Sequence, residues 1–510
     1  MNEACVEGLI AVAAMCVAAG GVEAGKKDDA LVWATDREVP ITDWNFLVVR
    51  ELIIISSLVY HRLVHLDENY QVKPALATAW SWADDTTLDL DLRKGVKFHN
   101  GKELDADDVV YTISFLTNKE NGSPSLSYVS HIKSAEKLDS HKVRLRLHKP
   151  FPATLVFLGG VTNIMAKGHY DNAPAKPDGK KDFGAVPANG TGPYKVTEMK
   201  PGESILMEKN ADYWEGSPKG KPQIGKIKFR SIKDSNTRLA EVMTGAIDWI
   251  WEVPKDQAER LKNAPNLAVE NAKTLRLAYL TFDAKGASGQ KFFADKRVRQ
   301  AFAHAINRQS MVDNMLGAPA EIIHSACHPD QFGCTPDVPK YDYNPEKAKK
   351  LLAEAGYPNG FEFDLHAYRE RDHTEAMIGD LVKIGVKPKL NFLQYAPLVE
   401  AVHKSQVSAA HMTWGSNGIP DVSACAGAFF DGSNNDLAKD PDLTRLIAEA
   451  DGTMDPEKRR ALWKQALSRI QEEAYWLPLY TYGKNYVYSK ELDFKVTPDE
   501  LPQFFQTKWK

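Results

Sequence analysis

Residues 87–96 constrain this chain more than any other stretch, because Leu88, Leu90 and Leu92 alternate with Asp89, Asp91 and Arg93. A period of two puts the leucines on one face and the charges on the other, the pattern of a half-buried strand over a core. Lys94-Gly95 and Asn100-Gly101 follow as turn dipeptides, and Asp105-Ala106-Asp107-Asp108 places acidic capping residues before the apolar stripe Val109, Val110, Ile113 and Leu116. The spacing predicts strand, hairpin, strand and capped helix. Those are the parts of a mixed α/β domain.

A chain of 510 residues is longer than one hydrophobic core usually organises, so two or more lobes are expected. With 64 basic against 68 acidic residues and a net charge of -4, nothing draws the chain toward nucleic acid or an acidic membrane surface. The one long apolar run, residues 9–19 (LIAVAAMCVAA), is followed by Val22-Glu23-Ala24 and reads as a cleavable export signal over residues 1–24. It is too short for the roughly 20 residues a membrane span needs. The segment before it, MNEACVEG, lacks the basic residues such signals usually carry, and Met15 before Cys16 makes a lipid anchor there a weak reading.

Removing the leader leaves Cys327, Cys334 and Cys425. Cys327 and Cys334 flank the loop HPDQFG, which a disulfide would close in an oxidising compartment. The rival reading is a soft metal site, since His324, Cys327, His328 and Cys334 lie close together, although the tight Cys-x-x-Cys pair of zinc sites is missing. A disulfide is the expectation, with no metal and no cofactor.

Catalytic signatures find little support. His61 and His65 are four apart, but Arg62 stands where a zinc protease helix carries its glutamate. Residues 187–196 (PANGTGPYKV) form a Gly-rich turn without the Gly-Lys-Ser/Thr ending of a phosphate loop. There is no Gly-x-Ser-x-Gly elbow, and the pairs Asp84-Asp85 and Asp107-Asp108 sit at a turn and a helix start, where capping explains them. Binding without catalysis is therefore expected. Further along, periodicity predicts strands near 31–34, 224–232 and 386–392, a short strand over 276–283, and helices from Asp295, from Pro345 to a Gly356 cap, over 375–385 and over 455–473.

The stretch PALATAWSWADDTTLDLDLRKGVKFHNGKEL (residues 74–104), the turn NGTGPY (189–194), RVRQAFAHAINR (297–308) and YNPEKAKKLLAEAGY (343–357) follow one another in an order that resembles the solute-binding proteins of peptide, opine and nickel ABC importers, family 5. The resemblance implies a two-lobed α/β periplasmic-binding-protein fold of type II with an extra subdomain. Lobe 1 would be residues 25–277 plus 484–510, with the subdomain inserted at about 50–195; lobe 2 would be 278–483, with crossings near 278–283 and 480–488. It also implies a monomer in the periplasm that captures a small organic solute or short peptide and delivers it to ABC permease subunits.

The same resemblance points to a site. In dipeptide and oligopeptide binders the loop corresponding to residues 411–430 carries a Trp and an Asp that holds the peptide's amino terminus. Trp414 matches the Trp, whereas Ser416 stands at the acidic position, followed by Asn417, and Ile419 replaces a second acid before Pro420-Asp421. Arg369 or Arg371 would hold the ligand carboxylate by a bidentate contact, and Trp44, Tyr60, Tyr279 and Trp414 would line the cleft. A cation kept and an anion lost favours an opine, an acidic sugar conjugate or a blocked peptide. A nickel or haem receptor of the same fold is the alternative, and a secreted hydrolase the alternative of another class.

Overall fold

Two long antiparallel strands, Leu267–Phe282 and Trp476–Ser489, carry the architecture of this computed structural model, which describes residues 24–510. The expected export signal lies outside the described residues except for Ala24. The two strands occupy the middle of a ten-stranded sheet. On one side the later half of Trp476–Ser489 pairs with Trp249–Trp251, which lies parallel to Ala30–Thr35, and the sheet continues through Lys226–Ser231, Ser204–Lys209 and Tyr194–Lys200. On the other, the later half of Leu267–Phe282 pairs with Ala409–Gly415, followed by Glu362–Ala367 and Lys387–Phe392.

Where the long strands pass from one side to the other, their pairing falters. The register shifts between Lys273 and Leu277 and again between Leu277 and Tyr279. The core changes at the same place. Leu31, Trp33, Phe229, Trp249 and Tyr486 share one cluster, whereas Leu277, Tyr279, Trp414, Trp463 and Trp476 share another. The chain thus forms two lobes, and we propose that it crosses between them at these register shifts.

The alternating segment that opened the sequence reading forms Thr87–Leu92, the second strand of a separate antiparallel sheet. Leu88, Leu90 and Leu92 are buried in the first lobe's cluster, and the outward Asp89 accepts two hydrogen bonds from Arg144, at 2.7 and 2.8 Å. The helix Ala106–Thr117 begins on a capping box: Asp105 accepts from the Asp107 amide at 3.0 Å, and Asp108 accepts from the Asp105 amide at 2.9 Å. Two elements differ from expectation. The strand expected over 276–283 runs for 16 residues, because its first half, through Glu270, Asn271 and Lys273, is polar and half exposed and lacks an apolar run. The helix expected at 375 begins at Arg371, preceded by Glu370 in the left-handed region at φ 54°. Its first turn buries His373 and Thr374, polar residues that apolar periodicity does not register.

The Gly-rich turn packs backbone against backbone. The Gly192 amide donates to the Val59 carbonyl at 2.8 Å, at the end of the helix Arg50–Val59. A Cβ would fall 2.0 Å from the Val59 oxygen at Gly190 and 2.3 Å from the Leu58 oxygen at Gly192. Backbone cannot yield as a flexible side chain would, so Gly190→Ala and Gly192→Ala are each expected to destabilise the first lobe by at least about 2 kcal/mol. A lower urea midpoint checks this, and midpoints equal to the wild type would refute it.

Candidate functional site

Beside the register shifts of the long strands lies a cavity of about 310 Å³, lined by Glu252, Arg276, Arg369, Glu370, Tyr482 and Lys484, with Val253, Gly483 and Asn485 between them. The charges arrive on four separate segments. Arg276 and Lys484 come from the two long strands, and Glu252 directly follows Trp249–Trp251. Arg369 and Glu370 lie between Glu362–Ala367 and the helix Arg371–Val382. Arg50, in the first turn of Arg50–Val59, and Glu500, from the C-terminal segment, complete the group behind the cavity wall.

These charges form one network. Glu500 accepts from Arg276 Nη2 at 2.8 Å and lies 2.7 Å from Lys484 Nζ and 3.4 Å from Arg50 Nη1. Glu252 lies 2.8 Å from Lys484, 3.0 Å from Arg50 and 3.9 Å from Arg369. Arg369 lies 3.3 Å from Glu370, whose carboxylate also accepts from the Tyr482 hydroxyl. The Arg50 guanidinium stacks 3.9 Å from the Trp251 ring. Burial alone would raise the carboxyl of Glu500, but Arg276, Lys484 and Arg50 outweigh it and hold the group well below the ordinary glutamate range. For Glu252 the same opposition to burial comes from Lys484, Arg50 and Arg369.

Backbone strain gathers at the same place. Glu252, Glu370 and Glu500 all occupy the left-handed region, at φ 56°, 54° and 59°. Such conformations cost a non-glycine residue on the order of 1–3 kcal/mol and persist where the surroundings enforce them. Three acids held this way around one cavity mark it as a built site.

Beside the cavity, Arg276 meets the strand Ala409–Gly415, and the loop after that strand turns toward the first lobe. The Tyr368 hydroxyl and Thr413 Oγ1 are 2.7 Å apart, and Arg276 Nη1 donates to the same Thr413 oxygen at 3.2 Å. Tyr395, 57% exposed, stands 5.1 Å from Tyr368. The loop bridges the lobes: Asn417 Nδ2 donates to the Tyr128 hydroxyl at 3.0 Å, and Ile419 is fully buried in the first lobe's cluster.

Of the residues singled out from sequence, Arg369 borders the cavity, Trp414 lies near the end of the strand Ala409–Gly415 opposite Leu277, and Asn417 lies in the bridging loop. Trp414 is 9% exposed and donates from Nε1 to the Ala424 carbonyl. Ser416 is buried, its hydroxyl accepting from the Gly418 amide at 3.2 Å. Asp421 is engaged elsewhere: both its oxygens accept from Arg459 at 2.8 Å, and it caps the Ser423 amide. Arg371 points to solvent and pairs with Glu375 at 3.0 Å. Trp44, Tyr60 and Tyr279 are at most 3% exposed and fill cores instead of lining the cleft, with Tyr279 stacked 3.5 Å from Trp476. Large aromatic side chains gain more from full burial than from a wet wall.

Cys327 and Cys334 are joined in a disulfide, and the loop they close supports residues 420–422. The Phe332 amide donates to Pro420 at 2.9 Å, and Gln331 Nε2 to the Asp421 carbonyl at 2.9 Å. Cys425 is a buried free thiol. Among the described residues no group of three or more His, Cys, Asp or Glu is arranged to hold a metal ion.

Sequence reasoning missed Arg50, Glu252, Arg276, Lys484 and Glu500. One signal was available: Lys484 is the lone charge in the run WLPLYTYGKNYVY, and a single charge in an apolar strand needs a buried partner.

Replacing Glu500 with Gln leaves three cations sharing too few acids, so Glu500→Gln is expected to lower stability by about 3–5 kcal/mol at pH 7. Because the folded carboxylate titrates below its ordinary value of 4.5, its contribution is fully present above that pH and fades as pH falls further. Urea denaturation from pH 7 to pH 3 checks both. A variant as stable as the wild type at pH 7 would refute the assignment.

Comparison with known proteins gives the geometry its context. The model of the bacterial extracellular solute-binding proteins, family 5 Middle, matches residues 71–436. The chain is 28% identical over 458 residues to heme-binding protein A of Haemophilus influenzae, covering 83% of this chain and 82% of that protein. It is 28% identical over 456 residues to the oligopeptide-binding protein AppA of Bacillus subtilis, covering 85% and 82%. The structure of the periplasmic binding protein DppA from Helicobacter pylori in complex with the peptide STSA superposes with a TM-score of 0.83 at 25% identity, covering 96% of this chain and 98% of that one. The two lobes joined by paired strands are the periplasmic-binding-protein fold, and the chain belongs to the bacterial extracellular solute-binding proteins of family 5.

Proposed function

We propose that the protein captures an organic solute bearing a carboxylate in the hinge cavity and delivers it, from the periplasm and as a monomer, to the permease of an ABC importer. The observation that carries this reading is Arg369 on the cavity wall. Its nearest acids stand 3.3 and 3.9 Å away, and the planar guanidinium offers a two-pronged fork to an incoming carboxylate. Burial opposes its charge, and Glu370, Tyr368 and Glu252 more than compensate, so it stays a cation at any physiological pH.

The opposite end of the ligand is not met as in the peptide binders that residues 411–430 resemble. Ser416 is neutral, and Asp421 is committed to Arg459. An ammonium brought there would be desolvated without an acid, at a cost of several kcal/mol. This supports an opine-like solute, an acidic sugar conjugate or an amino-blocked peptide, with Tyr368 and Tyr395 beside its body. Binding requires that no bond be broken, and hinge closure onto the solute is the signal a permease reads. The relatives named above are a heme-binding protein and binders of oligopeptide and peptide, so family membership leaves the ligand to the cavity's chemistry.

Native mass spectrometry of freshly purified protein is expected to release an acidic organic mass; a metal or porphyrin mass in its place would overturn the reading. Acidic solutes are expected to raise the melting temperature by several degrees, with the gain lost in Arg369→Ala. Dipeptides with free amino termini are expected to leave it nearly unchanged, and broad shifts across such a panel would refute the missing-anchor argument.

A further inference from the structure

Adjacent residues Asp499 and Glu500 face apart. Glu500 enters the hinge network, whereas Asp499 lines a second cavity of about 60 Å³ together with Arg62, His65, Tyr70, Lys219 and Gly418. Only on the order of 10–15 Å³ is needed to admit one water, so this cavity has room for a small ion.

The charges around it do not balance. Lys219 is 8% exposed, and its ammonium donates to the Ser57 carbonyl and, at 2.7 Å, to the Tyr60 carbonyl. Among the described residues it has no acid as an ion-pair partner, and burial, with the like-signed Arg62 nearby, draws its ammonium well below the ordinary lysine range, so that an anion beside it is what would hold it charged. Arg62 in turn donates to the Gly159 carbonyl at 2.9 Å. Lys219 and Arg62 therefore face one half-buried acid, Asp499, which burial raises to about 6 and which already accepts from the Leu501 amide at 3.0 Å. Asp67, at the rim, is engaged by Lys73 at 3.3 Å and by the amides of Asn69 and Gln71. The histidines add no compensating charge. His61 lies between the Thr191 carbonyl and the Ser217 and Tyr213 hydroxyls, and burial with Lys219 nearby draws His65 down to about 4. The Tyr70 hydroxyl is buried on the cavity wall without a hydrogen-bond partner, on a residue held at φ 59°.

We infer that this cavity is a binding site for one small monovalent anion of halide or formate size, held by Lys219, Arg62 and the Tyr70 hydroxyl. One negative charge balances the two cations against Asp499 and supplies the acceptor that Tyr70 lacks. The site is separate from the solute cavity and does not depend on the identity of the solute. Gly418, from the loop that bridges the lobes, forms part of its wall.

Bromide is a suitable probe because it scatters anomalously. Wild-type crystals soaked in sodium bromide are expected to show an anomalous peak in contact with Lys219 Nζ and Arg62. In solution at constant ionic strength, replacing sodium gluconate, too large to enter, with sodium chloride or formate is expected to raise the wild-type melting temperature by several degrees. Saturation at millimolar concentration separates this from general salt effects. Lys219→Met, which removes the unbalanced charge, is expected to lose the anion dependence and to melt above the wild type in gluconate. The absence of a bromide peak overturns the assignment. A peak without any anion-dependent shift of the wild type is an adventitious ion only, and also overturns it. Formate and chloride arms that differ identify which anion the site prefers. Both wild-type measurements stand whether or not the variant folds.

Discussion

The carboxylate of Glu500 is shared by Arg50, Arg276 and Lys484, and this sharing holds the hinge where the backbone holds it least. The strand ladder shifts register between Lys273 and Tyr279, so the junction of the lobes relies on side-chain charge. Desolvating each ion costs several kcal/mol, and a close pair returns a comparable amount only in good geometry. Such a network is therefore worth little as a sum of pairs and much as a complete set. The left-handed backbone at Glu252, Glu370 and Glu500 is the local concession that aims three acids at one volume. On the proposed reading, an anionic solute reaching Arg369 would enter a group whose partners are already shared and would shift that sharing without building a new site.

Much of the fold was legible because its signals are local. The Leu88, Leu90, Leu92 alternation, the Asp105 capping box, and Asn344-Pro345 ahead of its helix each declare themselves within a few residues. The first half of Leu267–Phe282 was hidden because a strand flanked on both sides can carry Glu270 and Lys273 without an apolar rhythm. Of the candidate cavity, family resemblance pointed to Arg369 alone, whereas the network joins Arg276 to Glu500 across 224 residues, and no spacing rule spans such a distance. The partner of Asp421 was hidden because Arg459 lies 38 residues away, on the helix Pro456–Glu472. Trp44, Tyr60 and Tyr279 were chosen for their chemistry, and burial claimed them.

The loop after Ala409–Gly415 shows how a scaffold can be kept while a specificity element changes. Its position is fixed from below by the disulfide-closed loop, through Gln331 and Phe332, and from the side by Arg459 gripping Asp421. Those supports act on backbone and on a buried carboxylate, so they do not depend on what residue occupies position 416. A change of residue at position 416 would therefore leave the loop's course intact.

The order of the chain adds a temporal side to the hinge. Arg50 and Arg276 are made long before Lys484 and Glu500, and the strand Trp476–Ser489 that completes the sheet beside Trp249–Trp251 comes almost last. Until that strand arrives, both lobes carry an open sheet edge and cations without their counter-ion. A growing or truncated chain therefore has no route to a joined pair of lobes, and folding to completion waits for synthesis to end.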